Sequence, residues 1–147
     1  MADLARLEEF AREKIAEHEL WDWSFVWDRA QRRLGFCSPD KRISISKPLA
    51  RLNSDSLMQD TVLHEIAHAL AGVNAGHGPK WRKIARSIGA IPNTGCKNAV
   101  KPPAPYKLVC NNGHEYPRYR RVKAKNQSCS FCSTRYDPKY KLRLVPA

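Results

Sequence analysis

The stretch Thr61-Val62-Leu63-His64-Glu65-Ile66-Ala67-His68-Ala69-Leu70 places two histidines four residues apart, with a glutamate directly after the first. On an α-helix such histidines share one face, so both imidazoles can reach a single metal ion. Glu65 falls about 100° round the helix, close to the ion without binding it. The pattern H-E-x-x-H suits a zinc site with a carboxylate base. A zinc site that does chemistry takes three protein ligands and keeps one position open. No Asp or Glu occurs between Ala69 and His114, so no closely following carboxylate can complete the set. The continuation H-x-x-G-x-x-H would need a third histidine at position 74, which is Asn74. His77 remains, between Gly76 and Gly78, whose freedom permits a close turn back to the helix. The competing reading is a pair of satisfied core histidines, a surface glutamate and a solvated His77.

A second group lies toward the C-terminus. Cys110-x3-His114 and Cys129-x2-Cys132 form two closely spaced pairs, and two such knuckles close a tetrahedral zinc site with no open position. A segment this short builds little core, so metal is expected to supply its folding energy. Otherwise these are reduced cysteines in a flexible tail. Between the pairs run Tyr116, Arg118, Tyr119, Arg120, Arg121 and Lys123. The net charge is +12, and residues 97–147 carry 12 basic against 2 acidic side chains. Cations interleaved with tyrosines suit single-stranded nucleic acid, with phosphates on the cations and bases on the rings. A polar surface needed by any ribbon exposed on both faces is the plainer alternative.

These residues need elements to hold them. The pattern divides the chain into a core over 1–92, a proline-rich linker over 93–105 and a basic segment over 106–147. Residues 2–19 read as an amphipathic helix, and Trp21, Trp23, Phe25 and Trp27 as a strand whose tryptophans pack a core, a stacking surface for bases being the weaker alternative. Arg32–Cys37 and Ile43–Ser46 read as two more strands, joined by a turn at Ser38-Pro39-Asp40-Lys41. Pro48–Asn53 reads as a connection. The central helix, apolar nearly all round and therefore buried, begins near Ser54, with Ser56 and Gln59 as a capping box, and ends at Gly72. Gly78-Pro79 opens a further helix, with Trp81, Ile84, Ala85 and Ile88 on its buried face. Cys37 reads as a small buried hydrophobe, and Cys96 has no evident partner. No run approaches the ~20 apolar residues of a membrane span. Residues 1–20 lack the apolar stretch of a secretion signal, and an odd number of cysteines argues against a disulfide framework. An intracellular monomer is expected, cytoplasmic or at the nucleoid or nucleus, with no membrane partner.

From Trp23 to Cys132 the ensemble resembles the SprT-like family, which includes the Spartan proteases. The resemblance rests on the aromatic strand, Arg42-Ile43-Ser44-Ile45-Ser46, His64-Glu65-Ile66-Ala67-His68, Gly76-His77-Gly78-Pro79 with Trp81, and the C-terminal knuckles. It implies an α+β fold with a zincin-like core, helices packed on a small antiparallel sheet, followed by a zinc ribbon. It further implies two zinc ions, one catalytic on His64, His68 and His77 with Glu65 as base, one structural on Cys110, His114, Cys129 and Cys132. The implied activity is DNA-dependent cleavage of proteins bound or crosslinked to DNA. The alternative is a non-catalytic nucleic-acid-binding zinc protein, a transcription or repair accessory factor, in which the helix metal is structural.

Overall fold

The computed structural model describes residues 1–92 and 99–147, so the reading of Cys96 lies outside the described residues. It divides into two compact units, Met1–Pro102 and Pro103–Ala147. The class is mixed α+β. No described helix is long and apolar enough to cross a membrane.

The first unit begins with α1, Leu4–Glu17. Asp3 caps it by accepting from the Arg6 backbone N–H, and Leu7, Ala11 and Ile15 recur at helical spacing on the buried face. Three strands follow: β1 (Ser24–Asp28), β2 (Gly35–Ser38) and β3 (Arg42–Ser46). Their order is β1-β3-β2, with β1 parallel and β2 antiparallel to β3. The sheet is thus mixed, and this corrects the antiparallel expectation. β3, with Ile43 and Ile45 both 0 % exposed, takes the centre, so β1 pairs with the strand two along in sequence, which runs in its own direction, and not with its successor β2. The β2–β3 hairpin turns at the expected residues, with Lys41 in the left-handed region.

The aromatic strand is shorter than its periodicity implies. Phe25 is buried, Trp23 and Trp27 are partly buried against the core, and Trp27 donates its indole N–H to Glu8 at 2.9 Å. Trp21 lies before the strand and is 75 % exposed, so it is not a core residue. Pro48–Asn53, expected as a connection, lies largely in a short helix, α2 (Lys47–Leu52). The Ser46 hydroxyl accepts from the Leu49 N–H, Pro48 occupies the first turn, and Leu49 and Ala50 are fully buried. Asn53 then ties the unit together. Its amide donates to the carbonyls of Leu49 and Val100 and accepts from the Val100 N–H.

The central helix α3 spans Asp55–Ala71, and Ser54 rather than Ser56 caps it, accepting from the Leu57 N–H. It packs on α1 and the sheet through Met58, Val62 and Ile66. Gly72, at φ 101°, ends it. A single 3-10 turn, Val73–Ala75, leads to α4, Pro79–Ser87, whose Trp81 and Ala85 meet Ala67 and Ala71 of α3 in a second apolar cluster.

The second unit is a three-stranded antiparallel sheet in the order β5-β4-β6, formed by β4 (Tyr106–Val109), β5 (Glu115–Arg118) and β6 (Arg143–Pro146). A 3-10 turn over Pro138–Tyr140 precedes β6. Its buried cluster is Leu108, Cys110, Cys129 and Leu142.

Candidate metal centres

α3 presents His64 and His68 one turn apart, and the turn after Gly72 returns His77 to them. Gly76, at φ 61° and ψ −148°, holds a backbone shape that a side chain disfavours, and this bend aims the next residue at the helix. The His77 carbonyl is fixed by the Arg82 guanidinium at 3.2 Å. His77 Nε2 stands 3.0 Å from His68 Nε2 and 3.1 Å from His64 Nε2. His77 Nε2 has either one proton or one lone pair to offer, so it cannot make good hydrogen bonds to both neighbours. Nitrogens about 2.0–2.1 Å from one tetrahedral zinc ion lie roughly 3.3 Å apart, so the spacing fits a bound cation.

Trp81 is the seat of all three rings. It is 0 % exposed, with its ring centroid 4.6 Å from that of His64, 5.2 Å from His68 and 4.7 Å from His77. Its indole N–H donates to the His64 carbonyl at 3.4 Å. Burial, then the neighbouring imidazoles, push His64 and His68 down to about 4. Both rings are therefore neutral at pH 7, the form that binds metal.

Glu65 shares the helix but not the cluster of ligand atoms. It is 7 % exposed, and burial raises its carboxyl to about 7, against a smaller opposite pull from Arg33. A carboxylate poised there can take and return a proton near neutral pH. Glu65 and the three histidines line a cleft of about 760 Å³ that is walled on one side by β2. Cys37 lies on that wall, 5 % exposed, its thiol pushed up to about 12 by burial and by Glu65.

The second unit gathers four ligand atoms. Nδ1 of His114 lies 3.4 Å from Cys110 Sγ, 3.3 Å from Cys129 Sγ and 3.4 Å from Cys132 Sγ, and Cys110 Sγ is 3.9 Å from Cys132 Sγ. Sulfurs about 2.3 Å from a shared tetrahedral zinc are roughly 3.8 Å apart, so this set also fits. Gly113, at φ 85°, makes the turn of the first pair. The second pair is fixed by the Cys129 N–H on the Tyr140 carbonyl at 2.9 Å. Burial would raise the Cys129 thiol, but the Tyr116 hydroxyl and the backbone N–H groups of Cys132 and Phe131 outweigh it and bring it down to about 6. Asn112 donates to Cys132 Sγ at 3.2 Å.

The six residues read as nucleic-acid contacts are not equivalent. Tyr116 and Arg118 are half-buried on one face of β5. Tyr116 packs into the small core with its hydroxyl 3.0 Å from Cys129 Sγ, so its geometry backs the knuckle. β5 ends at Arg118, and Tyr119, Arg120, Arg121 and Lys123 follow it outside the sheet. Arg121 stacks over the Tyr106 ring, while Arg120 and Lys123 are exposed. Sequence reasoning missed Phe131. It sits inside Cys129-x2-Cys132, is 77 % exposed, and lies 5.2 Å from the His114 ring, tilted 31° to it. An apolar side chain between two paired cysteines was the available signal.

Residues 2–101 match the family model described as the SprT-like family, a span that coincides with the first unit to within a residue at each end. That family is generally metalloprotease-related. With two thirds of its length matched, the chain belongs to the SprT-like family.

Proposed function

We propose that this protein is a DNA-dependent zinc endopeptidase that cleaves proteins held on DNA, built from a zincin-like core and a C-terminal zinc ribbon. The observation that carries the reading is the convergence of three imidazole Nε2 atoms in a cleft that also holds a buried glutamate near its titration point. His64, His68 and His77 would hold the ion. A three-histidine zinc site with an open position supplies an acidified water and a Lewis acid for a peptide carbonyl. Glu65 removes the proton from the attacking water and delivers it to the leaving amide nitrogen. Trp81 keeps the imidazoles from turning as substrate enters. Cys110, His114, Cys129 and Cys132 would hold a second, structural zinc.

The DNA requirement is assigned to the second unit on charge and surface chemistry. Residues 97–147 hold nearly all the excess positive charge. Exposed Arg120, Arg121 and Lys123 can meet phosphates, and exposed Phe131 offers a ring to a base in the place first given to Tyr116. The test is cleavage of a DNA-bound protein with and without single-stranded DNA, over a salt series. Cleavage is expected only with DNA, to weaken steeply as salt rises, and to fall when Arg118, Arg120 and Arg121 are all changed to Ala. DNA-independent cleavage, or full affinity after the triple change, contradicts the assignment.

A further inference from the structure

Glycine weakens a strand, because it packs nothing and loses much backbone freedom on folding. Gly35 nevertheless starts β2, at the edge of the sheet. Its φ is outside the left-handed region, so the requirement there is for space and not for backbone shape. A methyl group at this position would stand 3.0 Å from Thr61 Cγ2, 3.1 Å from Glu65 Cγ and 3.1 Å from Ile45 Cδ1. Each distance demands that something retreat.

The neighbours differ in their freedom to do so. Ile45 is 0 % exposed at the centre of the sheet. Thr61 is anchored by its hydroxyl, which donates to the Leu57 carbonyl at 3.0 Å. The strand is pinned as well: Gly35 is in register with Ile45, and the Ser46 N–H donates to the Leu34 carbonyl at 2.8 Å. Glu65 alone combines a flexible side chain with a place on the cleft, so it is the group that gives. A turn about its first side-chain torsion carries the carboxylate away with it.

We propose that Gly35 is a positioning residue for catalysis: the empty space over its Cα fixes where the Glu65 carboxylate stands in the cleft with His64, His68 and His77. This rests on the reading of Glu65 as the base. A misplacement of about 1 Å at a reacting group costs on the order of a hundredfold in rate. Glu65 Cγ has to give by a few tenths of an ångström, so Gly35→Ala should lower kcat by roughly tenfold, with KM and bound zinc unchanged. Two relieving changes separate positioning from packing. Ile45→Val removes Cδ1 and Thr61→Ser removes Cγ2, leaving only the Glu65 contact. In the triple variant Tm should recover while kcat stays low. Recovery of kcat together with Tm would mean that Gly35 acts only through packing, and would overturn the proposal. A crystal structure of Gly35→Ala gives a readout independent of activity. The Glu65 carboxylate should be displaced over an unmoved α3 backbone, and a carboxylate left in place overturns the proposal. A displaced Glu65 in a protein whose wild type cleaves nothing would instead sink the peptidase reading and leave the positioning intact.

Discussion

In the first unit, eleven buried residues, all but Leu20 from α1, the sheet, α2 and α3, make one core, and four more, Ala67, Ala71, Ala85 and Ala90, seat Trp81 beneath the imidazoles. In the second unit the buried cluster has four members, and two of them, Cys110 and Cys129, are candidate ligands. The difference shows in the donor sets too. The histidine centre lines a cleft and offers three atoms, whereas the cysteine centre offers four and is backed by Tyr116 and Asn112. A fold that stands without metal can present an incomplete ligand set and use the open position. A small unit cannot, and on the proposed reading an ion on its four ligand atoms substitutes for the core it lacks.

The largest effect expected from this contrast is on the second unit. Cys129→Ala, or removal of metal by a strong chelator, should unfold residues 103–147 and leave residues 1–102 folded. Limited proteolysis read by mass spectrometry should return a resistant fragment close to 1–102. A second unit that stays resistant without metal would break the comparison. Next comes Trp81→Ala, which removes a fully buried indole and should cost about 3–5 kcal/mol. Thermal melts should show the loss, and zinc bound at the histidine centre should exchange faster. Trp81→Phe, which keeps a ring under the imidazoles, should do far less of both. The smallest effect concerns thiol chemistry. Cys37 ionises only near pH 12, so in metal-free protein, whose first unit stays folded, iodoacetamide at pH 8 should leave it unmodified while labelling Cys110, Cys129 and Cys132. The sign is fixed by burial: the unfolded thiol ionises near 9, so labelling of Cys37 should rise only on unfolding or at high pH.

How legible all this was in the sequence follows from range. The ligand spacings are local, and chemistry restricts their residue types, so His64, His68, Cys110, His114, Cys129 and Cys132 stand out in one dimension. His77 was reachable by eliminating other donors. Gly72, Gly78 and Pro79 punctuate the chain in ways set by their own backbones, and they bound the helices where expected. What was hidden depends on partners far along the chain. The parallel β1–β3 pairing depends on β1 joining the strand two along in sequence and not its immediate successor β2, which no local signal records. α2 was masked by Pro48, whose helical use depends on Ser46 as a cap. Tyr116 carried the same signal as an exposed tyrosine, and only the position of Cys129 turns it inward. The role of Gly35 is invisible without the helix that passes over it.

Glu65, as a base that is not a ligand, is the residue on which the proposed mechanism turns. The decisive measurement is cleavage of a DNA-bound protein by Glu65→Gln, with zinc determined by elemental analysis on the same preparation. Cleavage should be abolished while two zinc ions per chain and the wild-type fold are retained. Wild-type cleavage by Glu65→Gln, or fewer than two zinc ions in metal-replete wild-type protein, would contradict it.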